Sequence, residues 1–336
     1  IGYQASYALT SGANQVSIGY QAGMALTTAA NSTFIGYQAG LEHTGGNNIA
    51  IGDRAFYSTN AGSNSLASTK NVAIGNRALA GTLSDAQVDG TVALGYYALG
   101  NATMGGIDYN IAIGMESQMA NAGGQNVAIG YATLKVADGG ETGNVAIGTS
   151  TMDAVNNDGS DHNVAVGNYS MRGGTGLLAR NIAIGHQSMD GTGTVDGSDN
   201  IFMGYQAGSG TWTTAASNQN VAIGNYAMDS ALDGALNNTA VGYSSLGSIT
   251  TGDSNTALGH NAGTAITTGA ENVTIGAASG DSISDGSHNT ILGSSSAPTL
   301  AGGSYNNIIG RRAGYSLSSG EYNAALGSAA LYSLQT

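Results

Sequence analysis

Cysteine is absent from this 336-residue chain, and proline occurs once, at Pro298. Without thiols there is no disulfide framework and no thiolate metal site, and redox chemistry does not mark a compartment. Aromatic residues make up 6% and charged residues 9%, so one large globular core would be short of bulk. Cations are the scarcest class: 8 Lys and Arg face 21 Asp and Glu, for a net charge of −13. That balance disfavours non-specific nucleic-acid binding, which needs a cationic face to displace counterions. It equally disfavours docking on anionic lipid. No apolar run approaches the roughly 20 residues of a membrane-spanning helix, and no signal peptide is visible. Glycine is abundant at 55 residues, yet no Gly-X-Y period exists, which excludes collagen. A hydrophobic fraction of 41% excludes simple disorder.

What the chain has is a nine-residue unit that recurs nineteen times. Its form is Asn71-Val72-Ala73-Ile74-Gly75-Asn76-Arg77-Ala78-Leu79. Successive motif glycines lie 16 to 23 residues apart, and the last five intervals are all 17. A short period over the whole chain defines a solenoid. The expectation is an all-β parallel β-solenoid (β-roll), one repeat of about 17–19 residues per coil, spanning 1–336 as a single repeat domain. The chain opens inside a repeat, at Ile1-Gly2, and is expected to be a fragment of a longer one.

Numbering each repeat from its glycine as zero, position −1 is Ile, Leu, Val or Met, as in Ile74, Ile129 and Ile147. Position −3 is mostly Val, Ile or Thr, and position −2 is usually Ala, as in Val72 and Ala73. β-Branched residues at alternate positions favour a strand. A strand apolar on both faces is normally buried on both. The bulky face is expected to fill the coil, and the Ala/Gly face, with Gly75, Gly130 and Gly148, to meet a neighbouring subunit. Position −4 is Asn in fifteen of eighteen complete copies, including Asn71, Asn126 and Asn144. Asn serves turns through its own backbone bonds, and stacked copies could form a ladder. Position +3 is always Ala, Ser or Thr, which leaves room only for a small side chain.

The connectors between motifs are polar. They hold nineteen of the 21 acidic residues and all seven Asp-Gly turn pairs. Asp158-Gly159-Ser160-Asp161 and Asp196-Gly197-Ser198-Asp199 could place paired carboxylates around calcium, with solvated turns as the plainer reading. No other cofactor is expected. The 61–70 insertion and the Ser209–Asn218 loop with Trp212, the only Trp, are the candidate attachment loops. Packing of this Trp against a neighbouring loop is the plainer reading; exposed, it could stack on a glycan. Tyr at +1 in seven copies, such as Tyr20 and Tyr205, is either a sugar-stacking row or packing. His186 and His260 share position +1 but lie four coils apart, too far to share a metal. No nucleophile elbow or phosphate loop is present, so no catalytic residue is assigned and no enzyme is expected.

At the level of Asn-x-Ala-Ile-Gly-x-x-Ala, the chain resembles the head repeats of trimeric autotransporter adhesins. It is also similar to the repeat region of phage tail-fibre-like proteins, most visibly at Gly327-Ser328-Ala329-Ala330-Leu331-Tyr332-Ser333. The first resemblance implies a left-handed parallel β-roll assembled as a tight homotrimer; the second implies a fibre ending in a self-cleaving chaperone. Together they imply self-association into a homotrimer or filament and an extracellular, cell-surface or virion location. The expected function is the shaft of a phage tail fibre or virion appendage, with loops that attach to a surface such as a cell-surface glycan. A bacterial surface adhesin or filament subunit is the alternative, and a polysaccharide-acting enzyme a remote one.

Overall fold

The computed structural model describes the chain except residues 58–66, 84–86, 105–106, 121–122, 137–139, 158 and 334–336. The described residues divide into two compact units, Ile1–Asn168 and Tyr169–Thr336. Each is a parallel β-solenoid with one repeat per coil, and no α-helix occurs among the described residues.

The motif strands of the first unit are Val16–Ile18, Thr33–Ile35, Ile49–Ile51, Val72–Ile74, Val92–Leu94, Ile111–Ile113, Val127–Ile129, Val145–Ile147 and Val164–Val166. Those of the second are Ile182–Ile184, Ile201–Met203, Val221–Ile223, Thr239–Val241, Thr256–Leu258, Val273–Ile275, Thr290–Leu292, Asn307–Ile309 and Ala324–Leu326. Each covers positions −3 to −1. Like stacks on like: Val145, Ala146 and Ile147 pair with Val127, Ala128 and Ile129. Short side sheets form in the connectors, Gly81–Leu83 with Ala102–Met104 and Leu178–Ala179 with Gly197–Ser198.

The strands are short because the motif glycine ends them. Its φ lies between +123° and +145° in every copy, a region L side chains rarely adopt. Three further positions per coil, +2, +4 and −5, are left-handed and mostly not glycine, as Tyr226 (φ 59), Met228 (φ 51) and Asn237 (φ 59) illustrate. Such a conformation costs an L residue about 1–2 kcal/mol. Hydrogen bonds between coils offset it: the Tyr226 amide donates to the Tyr205 carbonyl at 2.9 Å and the Met228 amide to Ser245 at 3.1 Å. Corners therefore exist only where a neighbouring coil is in place.

The faces of the strand are the reverse of the expectation from bulk. Ala73, Ala128 and Ala146 are fully buried inside the coil, whereas Ile74 is 39% exposed. Ile129 and Ile147 likewise lie partly exposed on the outer side. The reason is the opposite wall. Position +4 points into the same interior, and Phe56, Leu79, Leu99, Leu134, Met152 and Met228 fill it there, each fully or almost fully buried. Positions −2 and +4 trade volume in many coils, and where both are small, as at Ala257 and Gly263, a buried connector side chain such as Ile266 fills the space. Ala73 faces Leu79 and Ala222 faces Met228, but Phe34 accompanies Gly40 and Phe202 accompanies Gly208. A Cβ added at Gly40 would lie 2.6 Å from the Phe34 ring, and one at Gly208 would lie 2.7 Å from Phe202. Ile308 with Gly314 repeats the arrangement. Position +3 is buried and small, as expected: Ser117, Ser170 and Ser279 use their hydroxyls to bond strand carbonyls of the next coil.

The asparagines at −4 form the expected ladder, and it is buried. In the first unit Asn71 Oδ1 accepts from the Thr91 amide at 2.9 Å, and Asn126 Oδ1 accepts from the Asn144 amide at 2.8 Å. In the second the ladder runs without a break from Asn181 to Asn323. The Nδ2 groups along the ladder also donate to connector carbonyls one coil on, as Asn238 does to Gly252 and Asn255 to Gly269, both at 2.8 Å. Buried amides are thereby satisfied on both sides.

One interior position departs from this economy. Gln118 occupies +4 between Leu99 and Leu134, fully buried, with no hydrogen-bond partner for either side-chain amide atom among the described residues. Its φ of 48° matches the 49° and 50° of those leucines. Replacing Gln118 with Leu removes the desolvation penalty and adds apolar contact, for an expected gain of about 1–3 kcal/mol. Thermal denaturation would show a higher midpoint for the variant.

Candidate attachment surface

The outer surface of each coil begins with the strand side chains at −3 and −1. Val16, Ile18, Ile49, Ile74 and Ile111 in the first unit are 37–42% exposed. Met203, Ile223 and Leu258 in the second range from 36% to 48%. Because the register never slips, these side chains form a continuous apolar strip along each unit.

Beside the strip runs position +1, where aromatic residues stack between coils. Tyr3, Tyr20 and Tyr37 are parallel at 5.5 and 5.2 Å between ring centres. His186 stacks on Tyr205, and Tyr243 on His260, both at 5.4 Å. Tyr226, at +2, fits edge-on between Tyr205 and Tyr243, and desolvation there pushes its hydroxyl above the ordinary value. The two +1 histidines are thus ring-stacking partners of tyrosines. A second column, His288–Tyr305–Tyr322, stacks at position −5.

Trp212 is not displayed. It is 2% exposed, edge-on to Phe202 at 6.3 Å. A Cβ on Gly197 would lie 2.4 Å from its ring. The indole closes the interior under the connector, so its face is not available to a glycan, although the loop around it stays on the surface. Residues 61–66 of the other candidate loop lie outside the described residues.

The connector acids cap backbone amides of the preceding coil. Asp161 Oδ1 accepts from the Thr142 amide at 2.6 Å and Asp196 Oδ1 from Leu177 at 2.8 Å. Asp233 binds the hydroxyl and amide of Thr214, and these bonds hold its carboxyl below the ordinary value. Asp199 is held low by its ion pair with Arg180. Asp229 and Asp281, half-buried at +5, are pushed up by desolvation. Of the two loops weighed for calcium, Asp158 lies outside the described residues, while Asp161, Asp196 and Asp199 hold protein groups. Among the described residues no group of three acidic or imidazole side chains is placed to hold a metal ion.

Sequence reasoning passed over one further feature. Arg54 and Arg77 both occupy +2 of their repeats, on neighbouring coils, and line a cleft of about 330 Å³. No protein-family model, no curated protein and no solved structure matches this chain.

Proposed function

We propose that the chain is the shaft of an extracellular fibre, a phage tail fibre or related virion appendage. Its copies cover one another's apolar strips as a homotrimer, and its polar connectors present the attachment surface. The exposed strand face carries this reading. On this face the first unit has 17 apolar strand side chains and the second 14; at roughly 50 Å² apiece they leave on the order of 700–850 Å² of apolar surface per unit, above the roughly 300–600 Å² typical of a monomer's largest patch. Dissolving such a strip in water along its whole length is unfavourable, and a second copy with the same straight strip matches it coil for coil. The number three comes from the family resemblance.

Sedimentation equilibrium of the purified chain is expected to give a trimer. Ile223→Glu combined with Leu258→Glu is expected to give folded monomers, because both side chains lie outside the coil. A native monomer at micromolar concentration, with strip residues as accessible as in the variant, would overturn the self-association on which the fibre reading depends.

A further inference from the structure

We propose that the cleft between Arg54 and Arg77 binds the carboxylate of an acidic sugar, with hexuronate as the minimal ligand. The chain has few cations, and three of the four in the first unit, Arg54, Lys70 and Arg77, fall close together in sequence. The fourth, Lys135, is neutralised by Glu116 at 2.6 Å. Among the described residues neither Arg54 nor Arg77 forms an ion pair. The acid beside them, Asp53, accepts from the Asn76 side chain at 3.2 Å.

Both guanidiniums are held in place by neutral groups. Arg54 Nε donates to Gln38 Oε1 at 3.3 Å, and its guanidinium lies over the rings of Tyr37 and Tyr57 at 5.4 and 5.9 Å. Arg77 donates through Nη1 to the Tyr97 hydroxyl and lies 5.3 Å over that ring. Aromatic support positions an arginine without discharging it. The two residues share one repeat position on consecutive coils, so their backbones are one rung apart, ~4.8 Å, and both side chains line the same cleft. A carboxylate seated in the cleft would accept N–H groups from a guanidinium fork, with the second cation on the same wall.

The remaining walls suit a sugar. Tyr57 offers a ring, Asn101 an amide, and Gly81 and Gly100 bring backbone without side chains. A volume of about 330 Å³ is at the small end of ligand pockets, the size for one or two sugar rings. The chain's net charge of −13 repels polyanions at long range, so selectivity must come from this local pair. The proposal does not rest on the fibre reading, since a monomeric chain would carry the same cleft.

The test is titration of the whole chain with sodium glucuronate, glucose and sodium sulfate, followed by NMR and calorimetry at low salt. Gln occupies +2 in other coils, at Gln21, Gln38 and Gln206, with the same left-handed backbone. Arg54→Gln and Arg77→Gln are therefore compatible with the coil, and thermal melting checks each variant. Glucuronate is expected to bind at about millimolar Kd, with glucose and sulfate each at least about tenfold weaker. Each Gln variant is expected to weaken glucuronate by about tenfold or more, and Arg54→Lys, which keeps charge but loses the fork, by less. Glucuronate binding unchanged in both Gln variants would overturn the site. Sulfate binding as tightly as glucuronate would reduce it to a plain anion site and overturn the sugar. Glucose binding as tightly would remove the carboxylate from recognition. If one Gln variant melts early, the other and Arg54→Lys decide.

Discussion

Gly242→Ala is expected to disrupt the second unit locally, at a cost of about 4 kcal/mol or more. Two effects coincide there. The backbone sits at φ +137°, and an added Cβ would lie 2.4 Å from the Gly259 carbonyl oxygen of the next coil. That oxygen belongs to backbone held in the inter-coil ladder and cannot move without opening the ladder. Gly193→Ala is the control. It also sits at positive φ, +62°, but its nearest neighbour would be 3.4 Å away. Its expected cost is only the conformational one, about 1 kcal/mol. Hydrogen exchange should show the Gly242 variant losing protection at the amides of Tyr226, Gly242 and Gly259, with distant coils less affected because coupling is between nearest neighbours. Equal melting of the two variants would mean that close approach does not fix the glycine.

Asn255→Leu is expected to cost about 3–6 kcal/mol, the sum of several buried groups left unpaired. Asn255 Oδ1 accepts from both the amide and the side chain of Asn272 at 3.0 Å. Its Nδ2 donates to Asn238 Oδ1 at 3.1 Å and Gly269 O at 2.8 Å. Leucine preserves bulk but none of these bonds, and water cannot reach the orphans. Asn225 bonds the Tyr205 amide at 3.0 Å from an exposed position. Asn225→Ala should cost well under half as much, because solvent replaces the bond. Denaturant titration of the two variants checks the difference.

The period, the strand positions, the in-register stacking, the asparagine ladder and the small +3 site were all legible in the sequence, because each is a property of one position repeated. The facing of the strand was not. Alternation shows that Val72 and Ile74 share a side opposite Ala73, but does not say which side is inward. Bulk suggested the isoleucines, and bulk misled because the interior is filled from +4. A signal was present in the pairing of −2 with +4: Ala73 with Leu79, Phe34 with Gly40, Phe202 with Gly208. Such reciprocity means two positions share one volume. For Trp212 the packing reading is the one the structure bears out, with Gly197 making room for the ring. For the arginine cleft, the shared +2 position of Arg54 and Arg77 was readable. The absence of a pairing carboxylate among the described residues was not, since acids are plentiful in the intervening sequence.

The ladder also governs how this molecule can change. Gly52 and Gly75 are separated by 23 residues, Gly114 and Gly130 by 16, yet Ile49 meets Val72 and Ile111 meets Val127 in the same register. Each asparagine acts as a frame marker that resets alignment before the next strand begins. An insertion in one connector is therefore not inherited by the coil after it, and misalignment does not accumulate. The chain measures its length in asparagines and glycines, while the intervals between them are free to diverge, so that the reach of the solenoid and the chemistry it carries can vary independently.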